Sequence, residues 1–296
     1  MTLTLEITDR GDGPVFERFF AGYDRAFVLP DEKEDRAGLV ECLALNHGEA
    51  HRALAARMGW FRELCLIASD EDGDVVGGAN LIALRLAPDG MSPIASANLN
   101  YVYVEPAARG RGHLRRLVAA IAGVVAEQTG LRDPLIFLEQ NDPFAMTAEE
   151  YRRDSAVAGI DQLDRLRIWA RMGARIVDID YVQPALSPDQ QPDEGLVFAV
   201  LGASADTLPA CVVAEHLRKF FGISVLKGAP LEDDATSRTL LATLENASKE
   251  GADVRLLDPS PLLTVLRRPA DAEPMLGVMP PTLRAALCLV QASTGT

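Results

Sequence analysis

The amino-acid sequence predicts a mixed α/β fold over residues 1–202, followed by a helix-rich extension over residues 203–296. In the first part, apolar runs of strand length alternate with stretches whose apolar residues recur every three or four positions. Two apolar runs, 64–68 and 75–82, flank a turn rich in Asp and Gly, which indicates a β-hairpin. Beyond residue 202 helical patterns dominate and prolines become frequent. We therefore predict two structural parts.

The same patterns place the individual elements in order. In the first part we predict strands at 3–7, 64–68, 75–82, 95–104, 135–138, 176–181 and 196–201, and helices at 15–27, 36–45 (or on to 56), 114–125 and 166–172. Residues 142–164 are polar and partly helical in pattern. In the extension we predict helices near 208–221 and 232–249, a strand near 254–257, and an irregular last stretch with one terminal helix.

Composition excludes several classes of function. The 296 residues contain 29 Lys and Arg against 43 Asp and Glu, a net charge of −14. Nucleic acids and anionic membranes bind clustered positive charge, so neither is expected as a partner. The longest apolar run, residues 117–126, is too short to cross a bilayer, and the N-terminal residues lack the pattern of a signal peptide. We predict a soluble, cytoplasmic protein.

The four cysteines do not indicate a disulfide framework or a zinc site. Cys42, Cys65, Cys211 and Cys288 are far apart in sequence and form no Cys-x-x-Cys pair. Reduced cysteines commonly fill apolar core positions. We therefore predict reduced cysteines and no metal.

A strand followed by a glycine-containing turn and a helix marks the segment 101–114 as the chemically informative one. The first amides of a helix lack partners and lie at the positive end of its dipole, so they bind phosphate. Gly110 and Gly112 allow a ligand to approach the backbone. Four arginines and no acid lie between Pro106 and Ala126. A solvated basic helix face is the alternative, and the glycine spacing fits neither a Walker loop nor a dinucleotide fingerprint.

This segment resembles the signature of the GNAT superfamily of acyl-CoA-dependent N-acyltransferases. That signature is Arg or Gln, two residues, Gly, one residue, and Gly or Ala, after a strand that ends Val-x-Pro. Here Arg109 and Gly112 match, Leu114 replaces the final small residue, and 104–106 reads Val-Glu-Pro. The preceding acidic hairpin, the following apolar strand and the helix that ends in 169–174 come in the family's order. The resemblance covers residues 1–202.

The resemblance implies a mostly antiparallel central sheet flanked by helices and an acyl-CoA co-substrate, usually acetyl-CoA. It places the pyrophosphate on the amides of residues 111–114 and the pantetheine arm along the strand before the turn. The residues implied in cofactor binding are Val102, Val104, Arg109, Gly110, Arg111, Gly112, His113, Leu114 and Asn141.

The positions that carry acid–base chemistry in many family members hold residues that do not titrate. Asn98 and Asn100 stand where the base often lies, and Trp169 stands at the position of a frequent acidic tyrosine. We therefore predict that Glu139 is the base and that Tyr181 protonates the leaving thiolate, with Asn100 orienting water or substrate. A surface carboxylate and a half-buried strand tyrosine are the alternatives for the first two.

Three functional hypotheses follow. The first is an N-acetyltransferase that acts on an amine of a small molecule or a peptide; the second, favoured by the non-titrating positions, is an inactive acyl-CoA sensor or scaffold. The third is a different nucleotide on the same turn. The negative charge favours a cationic amine, and Asp31, Glu32 and Glu34 fall where acceptor walls often begin in the family. The extension packs either on the core or on a second subunit of a homodimer.

Overall fold

A computed structural model describes residues 3–29, 33–187, 190–266 and 281–294 of the chain. The strands in this part are β1 Thr4–Thr8, β2 Phe61–Ser69, β3 Val75–Leu86, β4 Ile94–Val104, β5 Leu135–Asn141, β6 Arg175–Val177, β7 Leu196–Leu201, β8 Thr207–Pro209 and β9 Asp253–Leu257. The helices are α1 Pro14–Ala26, α2 Arg36–Ala44, α3 Gly48–Met58, α4 His113–Thr129, α5 Ala148–Ala158, α6 Gln162–Arg171, α7 Ala210–Phe220, α8 Ala235–Lys249, α9 Ser260–Val265 and α10 Leu283–Thr294.

The described strands form one sheet in the order β1-β2-β3-β4-β5-β7-β6-β9-β8. Strands β4 and β5 run parallel because α4 connects them, and the other neighbours pair antiparallel. Helix α4 packs its apolar side on one face of β3 and β4. Helices α1 and α7 also contact β3, but their buried residues belong to two other hydrophobic clusters. The predicted fold class, a mixed and mostly antiparallel sheet flanked by helices, is confirmed.

Parallel pairing between β4 and β5 extends over only four residue pairs. Residues 96–99 of β4 pair with residues 135–138 of β5, and no later pair joins these two described strands. Beyond that point β4 stays paired with β3, and β5 stays paired with β7. The register of β3 and β4 shifts at Asn80 and Leu81, which leaves Asn100 as the extra residue of a β-bulge. The two strands therefore part and open a wedge in the sheet.

The predicted helix that begins at residue 36 is two helices, because Asn46 leaves the helical path to bind a strand. Its side-chain amide donates to the carbonyls of Asp9 and Glu63 at 3.0 and 2.9 Å, and its Oδ1 accepts from the Glu63 amide at 2.8 Å. These bonds fix the start of β2 against the loop after β1. A periodicity count cannot detect this tertiary interaction.

The strand predicted over 176–181 ends earlier, at Val177. Asp178 turns out of the sheet, and its carboxylate accepts from Arg255 at 2.6 Å and from Arg284 at 2.7 Å. Both arginines belong to the C-terminal extension, so the early end of this strand is also a tertiary effect. The polar stretch 142–164, ambiguous in sequence, contains α5 behind a capping box of Thr147 and Glu150.

The C-terminal extension continues the sheet of the first part. Strand β9 pairs with β6, and the buried residues of α7 share a hydrophobic cluster with Leu84, Phe137 and Val200. A π-helical turn, Phe221–Val225, follows α7 and is buried. The division at residue 202 stays a prediction, and much of the proline-rich stretch predicted to be irregular lies outside the described residues. No helix in the described part of the chain has the length and hydrophobicity needed to cross a membrane.

One buried carboxyl group joins the extension to β2. Glu63 is fully buried; its Oε1 accepts from the Ser224 hydroxyl in the π-helical turn, and its Oε2 has no partner among the described residues. Burial disfavours the charged form and raises the pKa of Glu63 to about 8, although Ser224 and Lys227 act in the opposite direction.

We expect Glu63→Gln to be stabilised relative to wild type as pH rises. The native state keeps a proton on Glu63 up to about pH 8, whereas the unfolded chain releases it near 4.5, so the free energy of unfolding of wild type falls across that window. At 1.36 kcal/mol per pKa unit, the difference should grow by roughly 3–5 kcal/mol. Urea unfolding at about pH 5 and about pH 8 measures it.

The control for the unfolding measurements is Glu127→Gln, because it makes the same chemical change at an exposed residue on the surface of α4. A stability difference between Glu63→Gln and wild type that stays constant with pH would contradict the assignment.

Candidate functional site

The wedge between β4 and β5 is the floor of a cavity of about 800 Å³. Residues 99–104 line it from β4 and residues 138–141 line it from β5, starting at Leu99 and Leu138, the last pair that joins these strands. The edge of β4 that faces β5 is therefore free to pair with an extended ligand in strand fashion. Val102 and Val104, predicted to contact the cofactor, both lie on this edge segment.

The glycine turn closes one end of the cavity. Gly110 and Gly112 have φ values of 76° and 74°, a left-handed conformation that glycine adopts without strain. Gly112 is the N-cap of α4 and supplies no side chain to cap it, so the first amides of the helix are left for a ligand. A side chain at Gly112 would meet no atom within 4 Å, which leaves open space above the turn.

His113 gives independent evidence that this end of the cavity takes a polar ligand. The residue is 6% exposed and lines the cavity, yet its Nδ1 has no hydrogen-bond partner among the described residues. Buried polar atoms are rarely left unpartnered, so Nδ1 fits a ligand oxygen. The unpaired strand edge, the uncapped helix and this imidazole fit the arm and pyrophosphate of an acyl-CoA.

The remaining residues predicted on the turn have mixed placements. Arg109 lines the cavity, but its guanidinium donates to the carbonyls of Val104 and Ala158 at 3.3 Å and so ties the turn to α5. The backbone carbonyl of Arg111 accepts a hydrogen bond from the Arg116 guanidinium at 2.6 Å. Leu114 packs against the hydrophobic cluster beneath α4 and also lines the cavity. Asn141 lines the opposite wall.

The charge of the lining changes sign along the cavity. Arginines predominate at the end near the glycine turn, α5 and α6, where Arg109, Arg115, Arg165 and Arg171 lie with one carboxylate, the buried Asp154. Carboxylates line the other end, where Glu34, which is paired with Lys227 at 2.8 Å, lies with Glu139 and Asp193 near residues of α7 and the π-helical turn. A ligand that is anionic at one end and cationic at the other would match this arrangement.

Glu139 lies at the carboxyl end of β5 and lines the cavity. The loss of water around it raises its pKa to about 7. Hydrogen bonds from Tyr181 and Gln183 oppose that rise, and the nearby charge of Asp193 adds to it. A carboxyl group with a pKa near neutrality can exchange protons efficiently at physiological pH.

Tyr181 and Glu139, chosen separately from the sequence, are hydrogen-bonded to each other. The Tyr181 hydroxyl donates to Glu139 Oε1, and Gln183 Nε2 donates to the same oxygen at 2.9 Å. Tyr181 is 6% exposed and is absent from the cavity lining. Burial and the Glu139 charge raise its pKa, so the hydroxyl keeps its proton. In this geometry Tyr181 supports the carboxylate from behind; its predicted role as the acid stays a prediction.

Three asparagines lie side by side on the sheet beneath the cavity. Asn98 Nδ2 donates to Asn100 Oδ1 at 3.0 Å, and Asn100 Nδ2 donates to Asn80 Oδ1 at 3.0 Å. Asn100, the bulge residue, and Asn80 line the cavity, which agrees with the predicted contact of Asn100 with water or substrate. Trp169 also lines the cavity and is largely buried.

Several lining residues were missed by the sequence analysis. Phe220, Ser224 and Val225 come from the C-terminal extension, and no local pattern links them to β4. Gln183 was missed for the same reason. Asn80 could have been found, because a single amide inside the apolar run 75–82 requires a buried partner. Of the acidic wall proposed from sequence, Glu34 lines the cavity, whereas Asp31 and Glu32 lie outside the described residues.

Comparison with known proteins gives a partial match. The chain is 39% identical over 101 residues to the L-2,4-diaminobutyric acid acetyltransferase of Chromohalobacter salexigens; this match covers 32% of the chain and 48% of that relative. The matched region thus spans about half the length of the curated relative. No protein-family model matches the chain.

Solved acetyltransferase structures show distant similarity. A structure described as a histone acetyltransferase and related acetyltransferase, from Corynebacterium glutamicum, is 15% identical, with 70% of this chain and 100% of that chain covered and a TM-score of 0.35. A spermidine N-acetyltransferase variant from Vibrio cholerae is 13% identical, with 68% and 93% covered and a TM-score of 0.36. These TM-scores are low. The curated match is to an acetyltransferase, and it agrees with the resemblance of the strand–turn–helix segment to an acyltransferase signature.

We expect Tyr181→Phe to raise the pKa of Glu139 above about 7, because the tyrosine hydroxyl donates a hydrogen bond to the charged carboxylate. Carbon-13 NMR of labelled glutamate side chains, followed through a pH titration, measures this change. The control is Tyr151→Phe, which removes a hydroxyl bound to Asp161 at 2.8 Å, away from Glu139. An unchanged titration of Glu139 in Tyr181→Phe would contradict the hydrogen bond.

Proposed function

We propose that the chain is an N-acetyltransferase that transfers the acetyl group of acetyl-CoA to the amine of a small cationic molecule or peptide. The observation that carries this proposal is the wedge itself. An unpaired strand edge leads from an uncapped helix N-terminus to a carboxyl group whose pKa lies near 7. The partial match to an acetyltransferase agrees with this activity.

The phosphate end of the cavity would hold the co-substrate. The amides of residues 111–114 would bind the pyrophosphate, with His113 Nδ1 as an additional partner. The backbone of Val102 and Val104 would pair with the pantetheine arm along the free edge of β4. Bound acetyl-CoA supplies an activated thioester carbonyl to the amine.

The acidic end of the cavity would hold the acceptor. Asp193 favours an amine that arrives as a cation, whereas the charge of Glu34 is already paired with Lys227 at 2.8 Å, and the curated relative is named for a diamino acid. Glu139 would take the proton from the ammonium group, directly or through a water bound at Asn100, which frees the nitrogen lone pair. The carbon–nitrogen bond then forms and the carbon–sulfur bond breaks. The nitrogen loses its second proton as it becomes an amide, and the leaving thiolate takes up one proton.

A protein that binds acyl-CoA without transferring the acyl group is the second candidate. Asn98, Asn100 and Trp169 favour it, because none of the three can exchange a proton at the positions where many family members do so. Binding of acetyl-CoA without turnover of any amine would identify this case.

We expect isothermal titration calorimetry to show micromolar binding of acetyl-CoA to wild type and at least a tenfold loss in Gly112→Asp. The variant places a negative charge at the helix N-terminus and a side chain at a left-handed position. Gly90→Asp is a matched control, since Gly90 also has a positive φ and open space around it but lies in the loop between β3 and β4. Equal weakening in both variants would contradict the phosphate site.

We expect Glu139→Gln to lower kcat by about 10²–10⁴-fold, which is the usual contribution of a general base. Wild-type kcat/KM should rise with pH around a midpoint near 7, because the base is active when deprotonated. In the variant, kcat/KM should no longer rise with pH in this range. Thiol release from acetyl-CoA with a panel of mono- and diamines measures both. Glu127→Gln, on the exposed side of α4, is the control. A variant with wild-type turnover would exclude Glu139 as the base.

A further inference from the structure

Glu34, at the acidic end of the cavity, is held from several directions. Its backbone amide donates to the Tyr101 hydroxyl at 2.9 Å, and its carbonyl accepts from the Tyr23 hydroxyl at 2.8 Å. One carboxylate oxygen lies beside Gly38 in α2, where a Cβ atom would collide with it, and the other accepts from Lys227 at 2.8 Å. The Glu34 carboxylate is therefore a fixed part of the cavity wall.

Lys227 neutralises Glu34 from outside the cavity. Glu34 lines the cavity, whereas Lys227 is absent from the lining, and the side chains of Lys227 and Glu34 are only 13% and 14% exposed. Burial favours the neutral amine, but the hydrogen bond and the charge of Glu34 outweigh it and raise the pKa of Lys227, so the ammonium group stays charged. The ion pair thus removes the charge of this wall without occupying the space beside it.

The backbone of Lys227 shows that the surrounding structure holds this residue in place. It lies just after the π-helical turn and has a φ of 50°, a left-handed conformation that costs energy for a residue with a side chain. Its ammonium group also donates to the Leu186 carbonyl at 3.2 Å, so it joins the C-terminal extension to two other parts of the cavity wall. Strained residues of this kind are concentrated at functional sites.

The wall around this ion pair is apolar. Phe27 packs against Tyr101 with ring centroids 5.2 Å apart, and both side chains line the cavity. Leu186, Phe220 and Val225 line it as well. An apolar group that enters this part of the cavity is removed from water, whereas a charged group there would lose its hydration without gaining an opposite charge.

Two carboxylates at this end have no cationic partner among the described residues, and they lie close together. Gln183 joins them: its side-chain amide donates to Glu139 at 2.9 Å, and its backbone pairs with that of Asp193 through hydrogen bonds of 3.0 and 2.9 Å. Both carboxylates line the cavity. The charge of the described lining therefore suits one ammonium group at this end.

We propose that Lys227 is a specificity-determining residue, which neutralises Glu34 and so restricts the acceptor to a monoamine with an apolar body. The inference rests on the proposed function, since it names the class of acceptor for that reaction. The curated relative is named for a diamino acid, so the chain would differ from it in its acceptor. The C-terminal extension, which carries Lys227, would thereby select the substrate.

The first test compares acceptors in the wild-type protein. Thiol release from acetyl-CoA is measured with the n-alkylamines from propylamine to hexylamine and with the terminal diamines of the same chain lengths. We expect kcat/KM to rise about fourfold for each added methylene of the monoamines, which is the effect of burying one CH₂ group, and to exceed that of the matching diamine at least tenfold. Diamines that match or surpass the monoamines would overturn the proposal.

The second test exposes the charge of Glu34. Lys227→Met keeps an aliphatic side chain but removes the ammonium group, so that Glu34 can bind the second ammonium group of a diamine. We expect kcat/KM for the diamines to rise at least tenfold relative to the monoamines. The double variant Lys227→Met/Glu34→Gln removes both charges and should return to the wild-type preference.

Lys219→Met is the matched control for this variant. It removes the ammonium group of another largely buried ion pair, formed with Glu215 at 3.0 Å, and neither residue lines the cavity. Both single variants leave a carboxylate without its partner, so both should lose stability. The preference for monoamines should change in Lys227→Met alone. An unchanged preference in Lys227→Met, or an equal change in Lys219→Met, would overturn the proposal.

Thermal unfolding reports the same preference without turnover, because a ligand that binds only the native state raises Tm. We expect hexylamine to raise the Tm of wild type more than hexamethylenediamine does, and this order to reverse in Lys227→Met. Equal shifts in wild type, including no shift with either amine, would overturn the proposal, and this comparison does not require that Lys227→Met folds. An absence of turnover in wild type, with the expected order of Tm shifts, would overturn only the proposed activity.

Discussion

The early end of the pairing between β4 and β5 is the constraint on which the rest of the site depends. Once β5 follows β7 and β4 follows β3, the backbone groups of residues 101–104 on the open edge have no neighbouring strand. Unpaired backbone groups in a sheet need a partner, so this edge favours an extended polar ligand. The bulge at Asn100 lies where the strands part and brings a polar side chain into the opening.

The separation of β4 and β5 also places the N-terminus of α4 and the Glu139 carboxyl group. Helix α4 begins where β4 ends, so its uncapped amides and His113 lie at one mouth of the opening. Glu139 follows Leu138, the last residue of β5 that pairs with β4, and both line the cavity. Its surroundings are largely protein, and this desolvation shifts its pKa towards neutrality. One change of strand pairing thus accounts for the ligand-binding edge and for the proposed base.

The C-terminal extension completes this arrangement from the face of the sheet opposite α4. It adds β9 and β8 to the sheet, packs α7 against β3, and places Phe220, Ser224 and Val225 in the cavity lining. Its polar side chains reach buried groups of the first part, Ser224 at Glu63 and His216 at Ser96 and Asn98. Substitutions in the extension would therefore alter both the stability and the chemistry of residues far away in sequence.

The sequence by itself determined the fold class and the glycine turn, because both depend on local signals. Hydrophobic period, turn residues and the Arg109–Gly112 spacing are readable within a few positions. It also identified Glu139 and Tyr181 as candidates, but not their hydrogen bond to each other. Only the tertiary structure decided the interruption at Asn46, the early end of β6, the charge polarity of the cavity and the pairing of Glu34 with Lys227. Each of these depends on side chains that meet across distant parts of the chain, and a local pattern carries no information about such contacts.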